Sequence, residues 1–135
     1  YWFFGDIEKA SCYSANQSEF YKADDIVSGN ILFKSGVIFN GLWCFNVAPE
    51  NVKDYCEIQG SEGKMQFPIF EHKKIEIIKN GKTEIIPFIP LEHVQQPLIQ
   101  KVVNYFLDKG PNPCSAEDGA KVMWLLDQFT AKQGH

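Results

Sequence analysis

The sequence contains no apolar stretch approaching the ~18–20 residues of a membrane-crossing helix, which argues against a helical span. It has no C-x-x-C pair. His72, His93 and His135 stand apart from one another and from the cysteines, so zinc-ligand spacing is missing and no metal is expected. G-x-G-x-x-G, P-loop, G-x-S-x-G and H-E-x-x-H patterns are also lacking, which removes the usual nucleotide, hydrolase and metalloprotease signatures. The 13 basic residues are scattered and the net charge is -4, so an electrostatic nucleic-acid site is not expected.

What the sequence does have is apolar substance. Hydrophobic residues make up 44% of its 135 residues and aromatics 14%, which indicates a globular chain rather than a disordered one. A single domain of this size buries roughly 65–70% of its unfolded surface and needs no metal or disulfide staples. Cys12, Cys44, Cys56 and Cys114 are therefore expected as buried thiols in a reducing cytoplasm. The opening "YWFFG" needs something to pack against, because four consecutive aromatics do not suit a free end.

Periodicity then orders the elements. "DIEKASCYSAN" alternates as a strand, with Ile7 and Tyr13 on one side and Ala10 and Cys12 on the other. Hairpins follow around Ser35-Gly36, around Gly60-Ser61-Glu62-Gly63 and around Asn80-Gly81. From Val94 the spacing becomes helical through Leu98, Ile99, Val102, Val103 and Phe106, with Pro97 in the first turn and Gly110 as the stop. Ser115 and Asp118 resemble a capping box before a second helix, whose buried stripe is expected at Val122, Met123, Leu126 and Phe129. Strands first and helices last predict an α+β fold: a largely antiparallel open sheet with two C-terminal helices on one face.

Two strands are apolar on both faces. Val37, Phe39, Trp43 and Phe45 point one way in their strand, and Ile38, Leu42 and Cys44 the other. In the strand before it, Ile26 and Leu32 oppose Val27, Ile31 and Phe33. A sheet with one wet face would alternate apolar with polar residues. Either a local aromatic cluster lies under the loop at 16–22, or the second face meets another subunit. The second reading predicts a homodimer through the sheet, with Phe39 and Trp43 as candidates.

Candidate chemistry is sparse. "GSEGK" joins two strands and reads as a turn. Asp24-Asp25 ends a loop, where Asp is routine. Glu92 before a helix reads as terminus chemistry. Trp43, Asn46 and Asn51 stand out because "WCFNVAPENVKD" sets an aromatic and two amides at a strand end entering a loop. An ordinary exposed loop explains them equally well.

The ordered set "ADDIVSGNILFKSGVIFNGLWCF", "EIQGSEGKMQF" and "PLIQKVVNYFLDKGPNPCSAEDGAKVMWLLDQF" resembles the C-terminal domain of the glucose–fructose oxidoreductase / inositol dehydrogenase (Gfo/Idh/MocA) family. The resemblance runs from about Gly5 to Phe129. It implies a single C-terminal substrate-binding and oligomerisation domain spanning 1–135, whose parent is an NAD(P)-dependent oxidoreductase acting on a sugar, polyol or related compound. It further implies that NAD or NADP binds a Rossmann domain outside this chain, and that "YWFFG" is the last turn of a helix carrying catalytic residues. No residue here matches the family's catalytic lysine, aspartate or histidine, so the chain alone is expected to be inactive; without a glycine-rich strand-to-helix turn it is also expected to bind no NAD or NADP. Trp43, Asn46 and Asn51 then become substrate-facing candidates within Phe45–Lys53. The reading from a different class is a stand-alone α+β interaction module with a hydrophobic sheet face.

Overall fold

The computed structural model describes residues 1–130. Seven strands and two helices follow in the order β1 (Ile7–Ala15), β2 (Ile26–Phe33), β3 (Ile38–Cys44), β4 (Cys56–Gly60), β5 (Gly63–Phe67), β6 (Lys74–Lys79), β7 (Lys82–Pro87), α1 (Gln96–Phe106) and α2 (Ala116–Thr130), with a 3-10 turn at Pro49–Asn51. The fold is α+β, antiparallel throughout, with its helices C-terminal. The strands form two sheets, β1-β2-β3 and β4-β5-β6-β7, where a single open sheet was expected. The break falls in the connection at 45–55 between β3 and β4. There Pro49 lacks an N–H and the chain turns through the 3-10 segment, so β3 and β4 do not pair. Two compact units result: Tyr1–Ala48 with the chain from Cys114, and Pro49–Pro113.

In the first unit, register decides what is buried. Ala10, Ile31 and Phe39 form one row across the sheet, Cys12, Gly29 and Gly41 the next, and Ser14, Val27 and Trp43 the third. The middle row is small for a reason. A Cβ on Gly29 would strike the Phe129 ring, and one on Gly41 would strike the Trp43 ring. The paired glycines thus open a slot that receives Phe129 from α2, with the Trp43 ring centroid 5.9 Å from that of Phe129 and 6.1 Å from that of Phe39. Cys12, Ile31, Phe33 and Phe129 form the buried core, with Phe4, Ile7, Ala10 and Leu125 among the residues packed on it. The Cys12 thiol donates to the Phe129 carbonyl at 2.7 Å, and burial pushes its pKa up.

Three sequence expectations shift in this unit. A bulge between Ile7 and Lys9 turns Ile7 onto the core side with Ala10 and Cys12, while Tyr13 stays on the exposed face. The stripe of α2 that meets the sheet is Leu125 and Phe129, four residues apart; Val122, Met123 and Leu126 are exposed. Of the aromatics at the start, Phe4 packs on Phe33 at 5.4 Å, whereas Trp2 and Phe3 project outward. The Ser115 cap is present: its Oγ accepts the Asp118 N–H at 3.1 Å and donates to the Asp118 carboxylate at 3.0 Å.

In the second unit the two faces of the four-stranded sheet differ in composition. Cys56, Ile58, Met65, Phe67, Ile75, Ile77 and Ile86 share one face by register, with Glu84 among them. Glu57, Lys64, Gln66 and Glu76 share the other, together with Ile78 and Ile85. The turn at Asn80-Gly81 has both residues at positive φ, as a type I′ hairpin requires. Helix α1 begins at Gln96, after Glu92 and His93, and stops before Gly110. Asp108 takes the left-handed position (φ 56), with Lys109 N–H donating to the Asn104 carbonyl and Asp108 N–H to the Tyr105 carbonyl. That Schellman pattern ends the helix without a glycine. None of the α1 residues is buried.

Candidate functional site

The β3 exit and the loop joining β1 to β2 share one anchor. Asp25 is fully buried, and its carboxylate accepts the Gln17 and Ser18 amides, both at 2.8 Å. Those bonds, first from Gln17 and then Ser18, together with one from the Asn46 side chain, hold its pKa down to about 2 against the effect of burial. Its backbone N–H reaches the Ala15 carbonyl, and its carbonyl accepts the Phe45 N–H at 2.8 Å. Asp24 accepts the Ser14 hydroxyl at 2.6 Å. The Asp pair is therefore structural, and the loop it secures presents Phe20 and Tyr21 outward.

The three sequence-predicted site residues fare differently. Trp43 lies on the face that α2 covers, packed against Phe129 yet 38% exposed, so an apolar edge remains open. Phe39 stands on the same covered face. Asn46 is half-buried, with its side-chain carbonyl accepting the Cys44 thiol at 2.8 Å and its side chain bonded to Asp25. It fixes the strand exit rather than projecting freely. Asn51 is exposed in the 3-10 turn of the second unit. Trp43 and Asn46 thus belong to one unit and Asn51 to the other.

Sequence reasoning missed a polar cluster on β4 and β5. Glu57 Oε2 accepts the Tyr55 hydroxyl at 2.5 Å, the Gln66 amide at 2.5 Å and the Lys64 ammonium at 2.9 Å; Gln66 also donates to the Tyr55 oxygen. Tyr55, then Gln66 and Lys64, hold the Glu57 pKa down to about 2, and the same Glu57 contact pushes the Tyr55 phenol up. The signal was present: Glu57 and Gln66 face each other across a hairpin, alternating with Ile58 and Met65. Nearby, Asp54 accepts the Ile69, Phe70 and Glu71 amides at 2.8, 2.6 and 3.1 Å. Burial pushes its pKa up, but those amides prevail and hold it low.

Elsewhere the first unit has an open cleft of about 550 Å³ lined by Tyr1, Asp6, Lys34, Glu117, Lys121 and Trp124 among others. Cys12 is buried, Cys44 and Cys56 are half-buried and Cys114 is exposed, so burial of all four thiols does not hold. Cys114 sits in the Gly-Pro-rich connection before α2, which leaves it on the surface. His135 lies outside the described residues. Among the described residues no group of three His, Cys, Asp or Glu is placed to hold a metal, and no helix is long and apolar enough to cross a membrane.

A dinucleotide does not fit what is described. Pyrophosphate needs a helix start with open N–H groups and a glycine-rich approach. Helix α1 has Pro97 in its first turn, and α2 begins with Glu117 and Asp118, whose charge repels phosphate.

No family model matches the chain. It is 40% identical over 127 residues to an oxidoreductase from Formosa agariphila, an alignment covering 94% of this chain and 38% of that protein. The chain thus spans less than half the length of this curated relative. Its fold matches an oxidoreductase from Agrobacterium radiobacter solved with NAD+, L-tartaric acid and magnesium (TM-score 0.77, 12% identity, 93% of this chain and 41% of that one). It likewise matches aldose-aldose oxidoreductase from Caulobacter crescentus solved with glycerol (TM-score 0.73, 14% identity, 93% and 39%). In sequence motifs and in fold alike, the chain resembles the C-terminal part of the Gfo/Idh/MocA-type oxidoreductases.

Proposed function

We propose that this chain is the C-terminal, substrate- and partner-facing part of a cytoplasmic NAD(P)-dependent oxidoreductase acting on a sugar, polyol or related compound. The observation that carries the proposal is the alignment with the Formosa oxidoreductase across nearly all of this chain but only 38% of the relative. The nicotinamide site and the catalytic groups are assigned to the remainder of the parent protein, because neither described helix start suits a pyrophosphate. The aldose chemistry named for the Caulobacter structure supports a hydroxylated substrate.

In the first unit, Trp43 offers an apolar edge on which the C–H face of a sugar stacks; Asn51, in the second unit, is a separate candidate whose exposed amide suits a hydroxyl. Asn46 serves by holding the strand end in place. Self-association of the parent is assigned to the sheet face opposite α2, where Tyr13, Ile38 and Leu42 are exposed. Phe39 and Trp43, the residues first favoured for that contact, stand on the other face.

The reading frame upstream of Tyr1 tests the proposal: it is expected to encode a βαβ unit with a glycine-rich turn, and a frame without one ends the oxidoreductase reading. Calorimetry on the 135-residue chain is expected to show no saturable micromolar binding of NAD or NADP. Sedimentation of the parent protein is expected to show a dimer that Leu42→Lys converts to monomer; an unaltered assembly would move the contact elsewhere.

A further inference from the structure

Trp43 and the docked end of α2 share one slot. Trp43 folds back along β3, where a Cβ on Gly41 would overlap its indole and crowd the Phe39 ring. Phe129 fills the space over Gly29, its ring centroid 5.9 Å from that of Trp43 and its plane inclined by 58°. Phe39 closes the other side at 6.1 Å. The indole is thus clamped between two rings and rests on a residue without a side chain. Phe129 is 5% exposed and Trp43 38%, so the clamp leaves part of the indole open to solvent.

Few contacts hold the end of α2 there. Leu125 and Phe129 are the helix side chains that join the core. The Cys12 thiol lies 2.7 Å from the Phe129 carbonyl and 3.3 Å from that of Gln128. Both carbonyls belong to the last turn, which has no intrahelical amide left for them. Nearer the start of α2, the Lys121–Asp6 pair is exposed at the surface and holds weakly. The ring and the thiol therefore act as a latch. The helix end cannot lift without withdrawing Phe129 from beside Trp43.

We propose that Phe129 is the positioning residue of the Trp43 platform, so that a cyclic sugar stacked on the indole and the docked end of α2 stabilise each other. The inference rests on reading Trp43 as substrate-facing. A pyranose presents a preformed face of C–H groups to a fixed indole, whereas an open-chain polyol must first be ordered along it at an entropic cost. With Phe129 withdrawn, the indole can turn into the vacated slot and the platform is lost. Sugar binding thus favours the latched state, and the coupling is reciprocal by linkage.

Cys12 reads the latch, because its thiol is 3% exposed and alkylation requires the helix end to lift. The 135-residue chain is treated with iodoacetamide, and modification at Cys12 is followed by peptide mass spectrometry. Methyl β-D-glucopyranoside is the probe and D-glucitol the open-chain control. Binding is read by NMR from the Trp43 indole N–H, assigned with Trp43→Phe. At a pyranoside concentration about twice its measured Kd, Cys12 alkylation is expected to slow about threefold. The exposed Cys114 should react at an unchanged rate, and D-glucitol should protect neither thiol. Phe129→Leu keeps an apolar side chain in the slot but removes the ring contact. It is expected to shift the indole signal, weaken pyranoside binding about fivefold and speed Cys12 alkylation. An indole that responds to the pyranoside while the Cys12 rate stays constant would overturn the coupling and leave Trp43 as a platform. Unchanged pyranoside affinity in Phe129→Leu, or equal protection by D-glucitol, would overturn the proposal as well. An indole silent to the pyranoside would end both the coupling and the substrate-facing reading of Trp43.

Discussion

The two sheets solve the same problem by different means. The three-stranded sheet receives α2 on one face, and Cys12, Ile31, Phe33 and Phe129 there are only 3–6% exposed; the four-stranded sheet buries no residue that far. The difference begins with two glycines. Gly29 and Gly41 pair across β2 and β3 and vacate the space that Phe129 and Trp43 fill, so helix and sheet interlock. The second sheet has a mostly apolar face of Ile, Met, Cys and Phe side chains, each half-buried, with the exposed Glu84 among them. Interlocking concentrates stability in a few residues, whereas a flat apolar face spreads it over many.

The largest break in that comparison is Phe129→Ala. It empties the glycine slot and removes the ring contact with Trp43, and a cost of about 3–4 kcal/mol is expected in urea unfolding. Ile77→Ala on the other sheet removes a half-buried side chain and is expected to cost about 1–2 kcal/mol. Equal losses at the two positions would show that the slot is not a concentrated support.

Next in size is a pair of glycine substitutions that separate space from backbone conformation. Gly29→Ala drives a methyl group into the Phe129 ring and is expected to cost about 2 kcal/mol. Gly81→Ala meets no neighbour within 4 Å but must hold φ +72, so about 1 kcal/mol is expected. Adding Phe129→Leu to Gly29→Ala is expected to recover part of the first loss. The same second change should not affect the loss at Gly81, and thermal melts of the double variants read both outcomes.

How far the sequence foretold this depended on whether the signal was local. Asn80-Gly81 and the Ser115 cap are local, and both appear as expected. The facing of α2 was not local. Val122, Met123 and Leu126 make as good an apolar stripe as Leu125 and Phe129, and only the slot above Gly29 decides between them. The bulge that turns Ile7 inward adds one residue without any glycine or proline to mark it. At the candidate site, Trp43 and Asn46 are where the strand-end reading put them. The Asp25 bonds that convert Asn46 from a free amide into a brace join residues distant in sequence, so the sequence pattern was silent about them.

The smallest expected effect contrasts two carboxylates with the same depressed pKa. Asp25 and Glu57 are both held to about 2, Asp25 by buried backbone amides and Glu57 by side chains at a surface. Each folded pKa lies below the ordinary unfolded value of roughly 4. Their contribution is therefore fully present above pH ~4 and is lost as pH falls through about 2. Salt distinguishes them, because exposed ion pairs are screened and buried hydrogen bonds are not. Carboxyl-carbon NMR titrations at low salt and at 0.5 M NaCl (~4 Å Debye length) should move the Glu57 midpoint upward and leave that of Asp25 in place. Lys64→Met should reproduce the Glu57 shift without salt, since it removes the 2.9 Å ammonium contact while the Tyr55 and Gln66 bonds remain. If the Asp25 midpoint moves with salt as much as that of Glu57, then solvent reaches the loop anchor and the first unit is looser at its sheet end than its core implies.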